Sequence, residues 1–143
     1  MSREELIKEL NMALEIEHSA IMMYMHHAEF VKGLNAEPII ARLKEIAGDE
    51  EKHRNMLRER ITALGGVPST KLSSLEIKHG NAEDMLKDEL KEEIEAVQLY
   101  REILETVKKL KDLEGSETLY HAIYHLIQGE QEHVEELKRL LGK

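Results

Sequence analysis

Glu50-Glu51-Lys52-His53 and Glu130-Gln131-Glu132-His133 share the spacing Glu-x-x-His. Residues three apart on an α-helix lie on one face about a turn apart, so such a Glu and His can reach one metal ion together. A carboxylate with an imidazole suits iron, manganese or zinc. In a Glu-rich chain one such motif is weak evidence, and its place on the apolar pattern decides more. Around the first motif the stripe reads Leu43, Ile46, Glu50, His53, Leu57, Ile61, Leu64. Around the second it reads Leu119, Ile123, Leu126, Glu130, His133, Leu137, Leu140. Both motifs stand where a core residue is due. A carboxylate facing a core is costly unless it is paired, protonated or metal-bound.

Two further helices complete the pattern. Ser2 and Glu5 form a capping box for the first, whose inward stripe reads Leu6, Leu10, Ala13, Glu17, Ala20, Ile21, Tyr24, Ala28, Val31 and which ends near Gly33. Pro38 opens the second helix, and Gly65-Gly66-Val67-Pro68 closes it. From Val67 to Gly80 no strong period appears, and the stretch is long for a helix–helix turn. Extended at roughly 3.3 Å per residue, it can run the length of a helix bundle. Asn81 or a neighbour caps the third helix, with the stripe Leu86, Leu90, Glu93, Ala96, Val97, Tyr100, Ile103, Val107, Leu110. Gly115-Ser116 separates it from the fourth. The expected fold is all-α: a four-helix bundle with one long crossover between helices two and three, and residues 1–143 form a single domain.

The two halves repeat. Glu17-x-x-Ala20-x-x-x-Tyr24 recurs as Glu93-x-x-Ala96-x-x-x-Tyr100, an offset of 76 residues (93 − 17). The Glu-x-x-His motifs are offset by 80 (130 − 50). Each half is a helical hairpin with one inward Glu followed by an inward Glu-x-x-His, which predicts pseudo-twofold symmetry. Glu17, Glu50, His53, Glu93, Glu130 and His133 can then converge. This donor set belongs to dinuclear carboxylate centres built inside four-helix bundles. Two divalent cations would bring four positive charges against four carboxylates. Tyr24 and Tyr100 lie seven residues past Glu17 and Glu93, almost back on the same face, and are candidate donors to the ligating carboxylates. Any one of these Glu residues alone is more often a solvated surface acid. Six on apolar stripes in repeated order are not explained that way.

Composition narrows the classes. The net charge of −9 disfavours nucleic acid and anionic membranes as partners. The absence of Cys excludes disulfides, thiolate catalysis and protein-ligated iron–sulfur clusters. No apolar run approaches the ~18 residues of a membrane span, no signal pattern precedes the first helix, and the cytoplasm is the expected location.

In these residues the chain resembles the ferritin-like di-iron carboxylate family, and within it bacterioferritin. The similar stretches include Leu10-Asn11, Glu17, Ala20-Ile21, Tyr24, His27-Ala28, Asp49-Glu50, Lys52-His53, Gly66-Val67-Pro68, Arg101-Glu102 and Glu130-Gln131-Glu132-His133. The resemblance implies two iron ions per chain, with manganese as the alternative metal. Glu17 and His53 would hold one, Glu93 and His133 the other, with Glu50 and Glu130 bridging. It implies a ferroxidase that oxidises Fe(II) with dioxygen or hydrogen peroxide, in a homo-oligomer that is at least a dimer. Glu51 stands where bacterioferritin carries its axial haem methionine, so no haem is expected. That family's short fifth helix has no counterpart up to Lys143. Tyr100 is more like rubrerythrin, and a rubrerythrin-like peroxidase or other di-iron oxidoreductase is the second reading. A non-enzymatic metal-binding bundle is the third.

Other residues have plainer readings. Met22, Met23 and Met25 suit core or dimer packing. His121 and His125 are an i,i+4 pair that could hold a surface metal, but His121 lies opposite Glu130, so solvent or an interface suits them better; His26 points away from Glu17. His27 sits at the stripe edge, within reach of the ligands' surroundings. Glu45 and Asp49 precede the first motif and either line an iron entry route or are solvated.

Overall fold

The computed structural model describes residues 2–143. Helices α1 (Arg3–Phe30), α2 (Ala36–Ala63), α3 (Ala82–Lys109) and α4 (Ser116–Leu140) follow one another, and no strand occurs among the described residues. Local chemistry sets their ends. Ser2 Oγ accepts from the Glu5 N–H at 3.1 Å while the Glu5 carboxylate reaches back to the Ser2 N–H, completing the capping box. Asn81 Oδ1 accepts from Asp84 N at 2.8 Å to start α3. Helix α2 begins at Ala36, two residues before the expected Pro38. Pro38 is tolerated because the first-turn N–H groups have no intrahelical partner. Gly65, at φ +84°, turns the chain out of α2, a conformation that disfavours a Cβ.

Helix α1 packs on α2 and α3, and α4 packs on α3 and α2, leaving α1–α4 and α2–α3 as the diagonals. The long connection runs parallel to α1, as its hydrogen bonds show in order. Asn11 Nδ2 donates to Val67 O, Ser69 N donates to Asn11 Oδ1, His18 Nδ1 donates to Lys71 O, and Ser73 N donates to Ser19 Oγ. Climbing α1 this way returns the chain to the far end of the bundle, so α3 starts beside the end of α1 and runs antiparallel to it.

The core divides in two. One apolar cluster joins Leu6, Leu10, Leu57, Ile61 and Ile103 to Leu119, Ile123 and Leu126 of α4. The other joins Met23, Leu43, Ile46, Met85, Leu86, Leu90 and Leu137. Each fully buried Leu, Ile or Met contributes about 1.5–3 kcal/mol relative to exposure. Between the clusters lies a polar layer made of the six candidate ligands, so the apolar ends hold the helices at the spacing that lets those side chains meet. Every stripe position from α2 and α3 is buried except Leu110, and on α1 Ile21 is only half-buried. Met23 belongs to the core, whereas Met22 and Met25 are each 51% exposed.

Candidate metal centre

All six predicted ligands reach the polar layer. Glu17, Glu50, Glu93 and Glu130 are at most 2% exposed, and His53 and His133 are also buried. They form two overlapping groups whose ligand atoms lie within 4.8 Å of one another: Glu17, Glu50, His53 and Glu130, then Glu50, Glu93, Glu130 and His133. Glu50 and Glu130 occur in both. His53 Nδ1 lies 2.6 Å from Glu130 Oε1 and 3.0 Å from Glu50 Oε1. His133 Nδ1 lies 3.4 Å from Glu50 Oε1 and 3.6 Å from Glu93 Oε1.

The tyrosines cross between halves. Tyr24 of α1 donates to Glu93 Oε1 of α3 at 2.6 Å, and Tyr100 of α3 donates to Glu17 Oε1 of α1 at 2.7 Å. The two bonds are pseudo-twofold copies of each other. Burial, then the Glu93 charge, holds the Tyr24 phenol well above its ordinary value, and burial with the Glu17 charge does the same for Tyr100. Both therefore remain donors near neutral pH.

The donor chemistry fits a cation. Glu17 Oε2, Glu50 Oε1, Glu93 Oε2, Glu130 Oε2 and His133 Nδ1 are buried without a hydrogen-bond partner. Each such orphan costs about 1–3 kcal/mol, so five around one point are expensive without a positive charge to face. Protons offset part of this cost. Burial, with the nearby charge of Glu17, raises Glu50 well above its ordinary value, and burial with Glu93 raises Glu130. Burial lifts Glu17 to about 7, against the Tyr100 hydrogen bond. Burial and the neighbouring His133 lower His53 to about 4. Burial alone would lower His133 too, but the Glu93 hydrogen bond and charge outweigh it and raise His133 to about 9.

These directions predict how stability varies with pH. Glu17, ordinarily 4.5, and His133, ordinarily 6.5, bind protons more tightly when folded. Their stabilisation is complete at low pH and is lost between 4.5 and about 7 for Glu17, and between 6.5 and about 9 for His133. His53 has the opposite sign, but only between about 4 and 6.5. The metal-free melting temperature should therefore fall as pH rises from 6.5 to about 9. Excess Zn(II) should remove or invert that fall, because metal binds the deprotonated ligands. A thermal melt series with and without Zn(II) checks this, and a flat metal-free profile would refute it.

Three features near the centre are not assigned by the sequence. Asp49, which its position leaves open between entry route and solvated acid, has its Oδ2 3.0 Å from His133 Nε2. Gly129 belongs to no motif, yet a Cβ there would lie 2.8 Å from His53 Nε2. The third is a buried pair. His27, at the stripe edge, makes no hydrogen bond to the candidate ligands; its Nδ1 meets Glu89 Oε1 at 2.8 Å and its Nε2 meets Lys78 O at 2.7 Å. A carbonyl only accepts, so Nε2 carries a proton. Burial opposes a charged His27, but the Glu89 bond prevails and raises it, while burial pushes Glu89 up to about 7 against the His27 bond. The signal for Glu89 is its place at i+4 between Met85 and Glu93.

The 76-residue repeat pairs His27 with Ile103 and Glu89 with Ala13, both buried apolar residues. The fold thus accepts apolar packing at the equivalent level of the other half. His27→Leu with Glu89→Met should change stability by no more than about 2 kcal/mol, whereas His27→Leu alone should cost ~3 kcal/mol or more by stranding Glu89. Urea denaturation of the two variants beside the wild type checks this. Elsewhere, His121 is exposed as expected, and His125 lies at the mouth of a cavity beside His53 and His133. Glu45 pairs with Arg42 on the surface.

A four-helix bundle with this crossover, carrying Glu and Glu-x-x-His twice at its centre, has the architecture of the ferritin-like class. The chain belongs to that family: the family model, described as a ferritin-like domain, matches residues 7–143. It is 26% identical over 111 residues to a bacterioferritin from Desulfovibrio desulfuricans. That match covers 78% of this chain but 62% of the relative, so the chain spans less than two thirds of the relative's length. Its structure is similar to that of a ferritin-like, diiron-carboxylate protein from Bacillus anthracis, with a TM-score of 0.89, 33% identity and 99% of each chain covered.

Proposed function

We propose that this chain is a di-iron ferroxidase that oxidises Fe(II) with dioxygen or hydrogen peroxide. The observation that carries the reading is the pair of four-donor groups sharing Glu50 and Glu130. In this reading Glu17 and His53 would hold one metal and Glu93 and His133 the other, with Glu50 and Glu130 available to both. Iron supplies the electrons; manganese suits the same donors. The bacterioferritin likeness and the diiron-carboxylate neighbour support iron.

The protein's residues supply the rest. Four carboxylates balance two divalent charges in a water-poor layer. Tyr24 and Tyr100 orient Glu93 and Glu17 through the phenol bonds; in this reading, when fewer than two irons are bound, each would give an electron to the oxidant and its phenol proton to the carboxylate it bonds. Fe(II) enters between α2 and α4, where Asp49, His125, Gly129 and Glu132 line a cavity of about 330 Å³ that reaches both histidines. Haem has no part in this reading, because Glu51, an exposed hard anion, stands at the position of the axial methionine. Among the described residues no helix is long and apolar enough to cross a membrane. The reading places the protein in the cytoplasm as a homo-oligomer, at least a dimer, and exposed Met22, Met25 and Leu72 support such an interface.

Anaerobic loading followed by mixing with oxidant tests the reaction. About two Fe(II) per chain should be oxidised rapidly. Binding without oxidation would make the chain a metal-binding bundle and not an enzyme. Sustained peroxide reduction by a dimer with an added electron donor would favour the rubrerythrin-like peroxidase.

A further inference from the structure

Two histidines away from the centre face each other. Nine residues past Glu17 (26 − 17), His26 stands about 13 Å along α1 from the level of the candidate ligands. Its Nε2 lies 3.2 Å from Nδ1 of His79, near the end of the long connection. The His79 ring stacks on Phe30, one turn further along α1, with centroids 4.1 Å apart and planes 12° from parallel. His26 packs on the same Phe30 at 4.8 Å. The backbone on either side of His79 is fixed as well: Lys78 O accepts from His27 Nε2 at 2.7 Å, and Asn81 caps α3. Both rings are therefore set in place, with His79 exposed and His26 half-buried.

The spacing suits a cation. A metal roughly 2.0–2.1 Å from each of two imidazole nitrogens, at a tetrahedral angle, holds those nitrogens about 3.3–3.4 Å apart. The pair need open only slightly to admit one. Without a metal, the N–H of one ring donates to the bare nitrogen of the other. A cation takes the place of that proton and draws on both lone pairs. The last turn of α1 helps, because its free carbonyls favour positive charge. Two imidazoles without a carboxylate select borderline ions such as Zn(II), Cu(II) and Ni(II) over the hard Mg(II) and Ca(II). Among the described residues no third His, Asp or Glu joins them within ligand distance, so water fills the remaining positions. With two protein ligands against the six of the centre, this site is the weaker and fills last.

We propose that His26 and His79 form a separate surface site for a borderline divalent cation, which clips the end of the long connection to α1. A bound ion would cross-link residues 53 apart in the chain. The segment it fastens also supplies Lys78 O, the carbonyl that holds the buried His27–Glu89 pair. The clip thus keeps the connection seated over that pair. The inference is independent of what the centre binds and of any reaction there.

Zn(II) tests it on the full chain. Calorimetry should count one ion per chain more in the wild type than in His26→Ala or His79→Ala, with the tighter steps unchanged. Crystals soaked in Zn(II) should carry anomalous density between His26 Nε2 and His79 Nδ1. Zn(II) should also slow amide exchange across residues 77–80 more in the wild type than in His79→Ala. His121→Ala controls for the exposed pair His121 and His125 and should leave the count unchanged. Circular dichroism confirms that the variants fold. Equal ion counts in the wild type and His79→Ala would reduce the pair to a hydrogen bond and overturn the inference. An extra ion lost with His121→Ala would overturn it too. An ion seated between the two rings without the local slowing would overturn the clip.

Discussion

Glu130→Ala should lower the rate of Fe(II) oxidation by on the order of 100-fold or more and abolish metal-dependent stabilisation. Partners that merely orient a ligand are worth roughly 10–100-fold in affinity, and a carboxylate available to both ions should exceed that. Glu130 is fully buried and belongs to both four-donor groups. Its Oε1 also meets His53 Nδ1 at 2.6 Å, so its removal frees that ring as well. The comparison with Glu17→Ala is informative, because Glu17 belongs to one group only. That variant should keep one tightly bound ion, whereas Glu130→Ala should keep none. Metal at about 100 times its dissociation constant stabilises a folded chain by ~2.7 kcal/mol, a shift readily seen in a melt. The metal-free Glu130→Ala protein should nevertheless fold, since the variant removes one of four mutually repelling carboxylates. Zn(II) calorimetry and stopped-flow oxidation decide the matter; near-normal binding of two ions by Glu130→Ala would sink the shared-ligand assignment.

The candidate ligands are legible in the sequence because each helix displays its face locally. Glu50 with His53, and Glu130 with His133, need only the helical repeat and an apolar stripe on either side. The matched Glu-Ala-Tyr motifs then relate the halves, and the crossed Tyr24–Glu93 and Tyr100–Glu17 bonds follow from that symmetry. What stays hidden depends on how helices are rotated against one another. Asp49 and His133 are 84 residues apart, and His27 and Glu89 are 62 apart. No local pattern distinguishes a half-exposed Asp that crosses to another helix from one that meets only water. Ile21 misleads for a related reason: it lies on the edge of its stripe, where a small rotation of α1 decides burial. Gly129 does carry a local signal, because glycine inside a helix costs about 1 kcal/mol relative to alanine and calls for a reason. The reason becomes visible only with His53 of another helix lying over it.

Gly129→Ala should therefore damage the centre through a single methyl group. The added Cβ would lie 2.8 Å from His53 Nε2 and 3.0 Å from Cε1, closer than non-bonded atoms sit. Helix α4 gains from the exchange, since alanine is the better helix former by about 1 kcal/mol. The strain falls on the imidazole, which can yield by turning while the backbone cannot. Turning carries Nδ1 away from Glu50 and Glu130, which it now faces at 3.0 and 2.6 Å. A displacement of about 1 Å at a reacting centre can cost on the order of 100-fold in rate. The expected variant is folded, melts close to the wild type without metal, oxidises Fe(II) on the order of 100-fold more slowly, and loses affinity mainly at the Glu17 and His53 position. Gly129→Ser should behave alike, because the Cβ and not its substituent makes the clash. Pairing Gly129→Ala with His53→Ala separates the causes: with the ring gone the methyl has nothing to displace, so the double variant should be no worse than His53→Ala alone. Additive losses in that cycle would show that Gly129 acts by some other route, such as closing the cavity to incoming Fe(II).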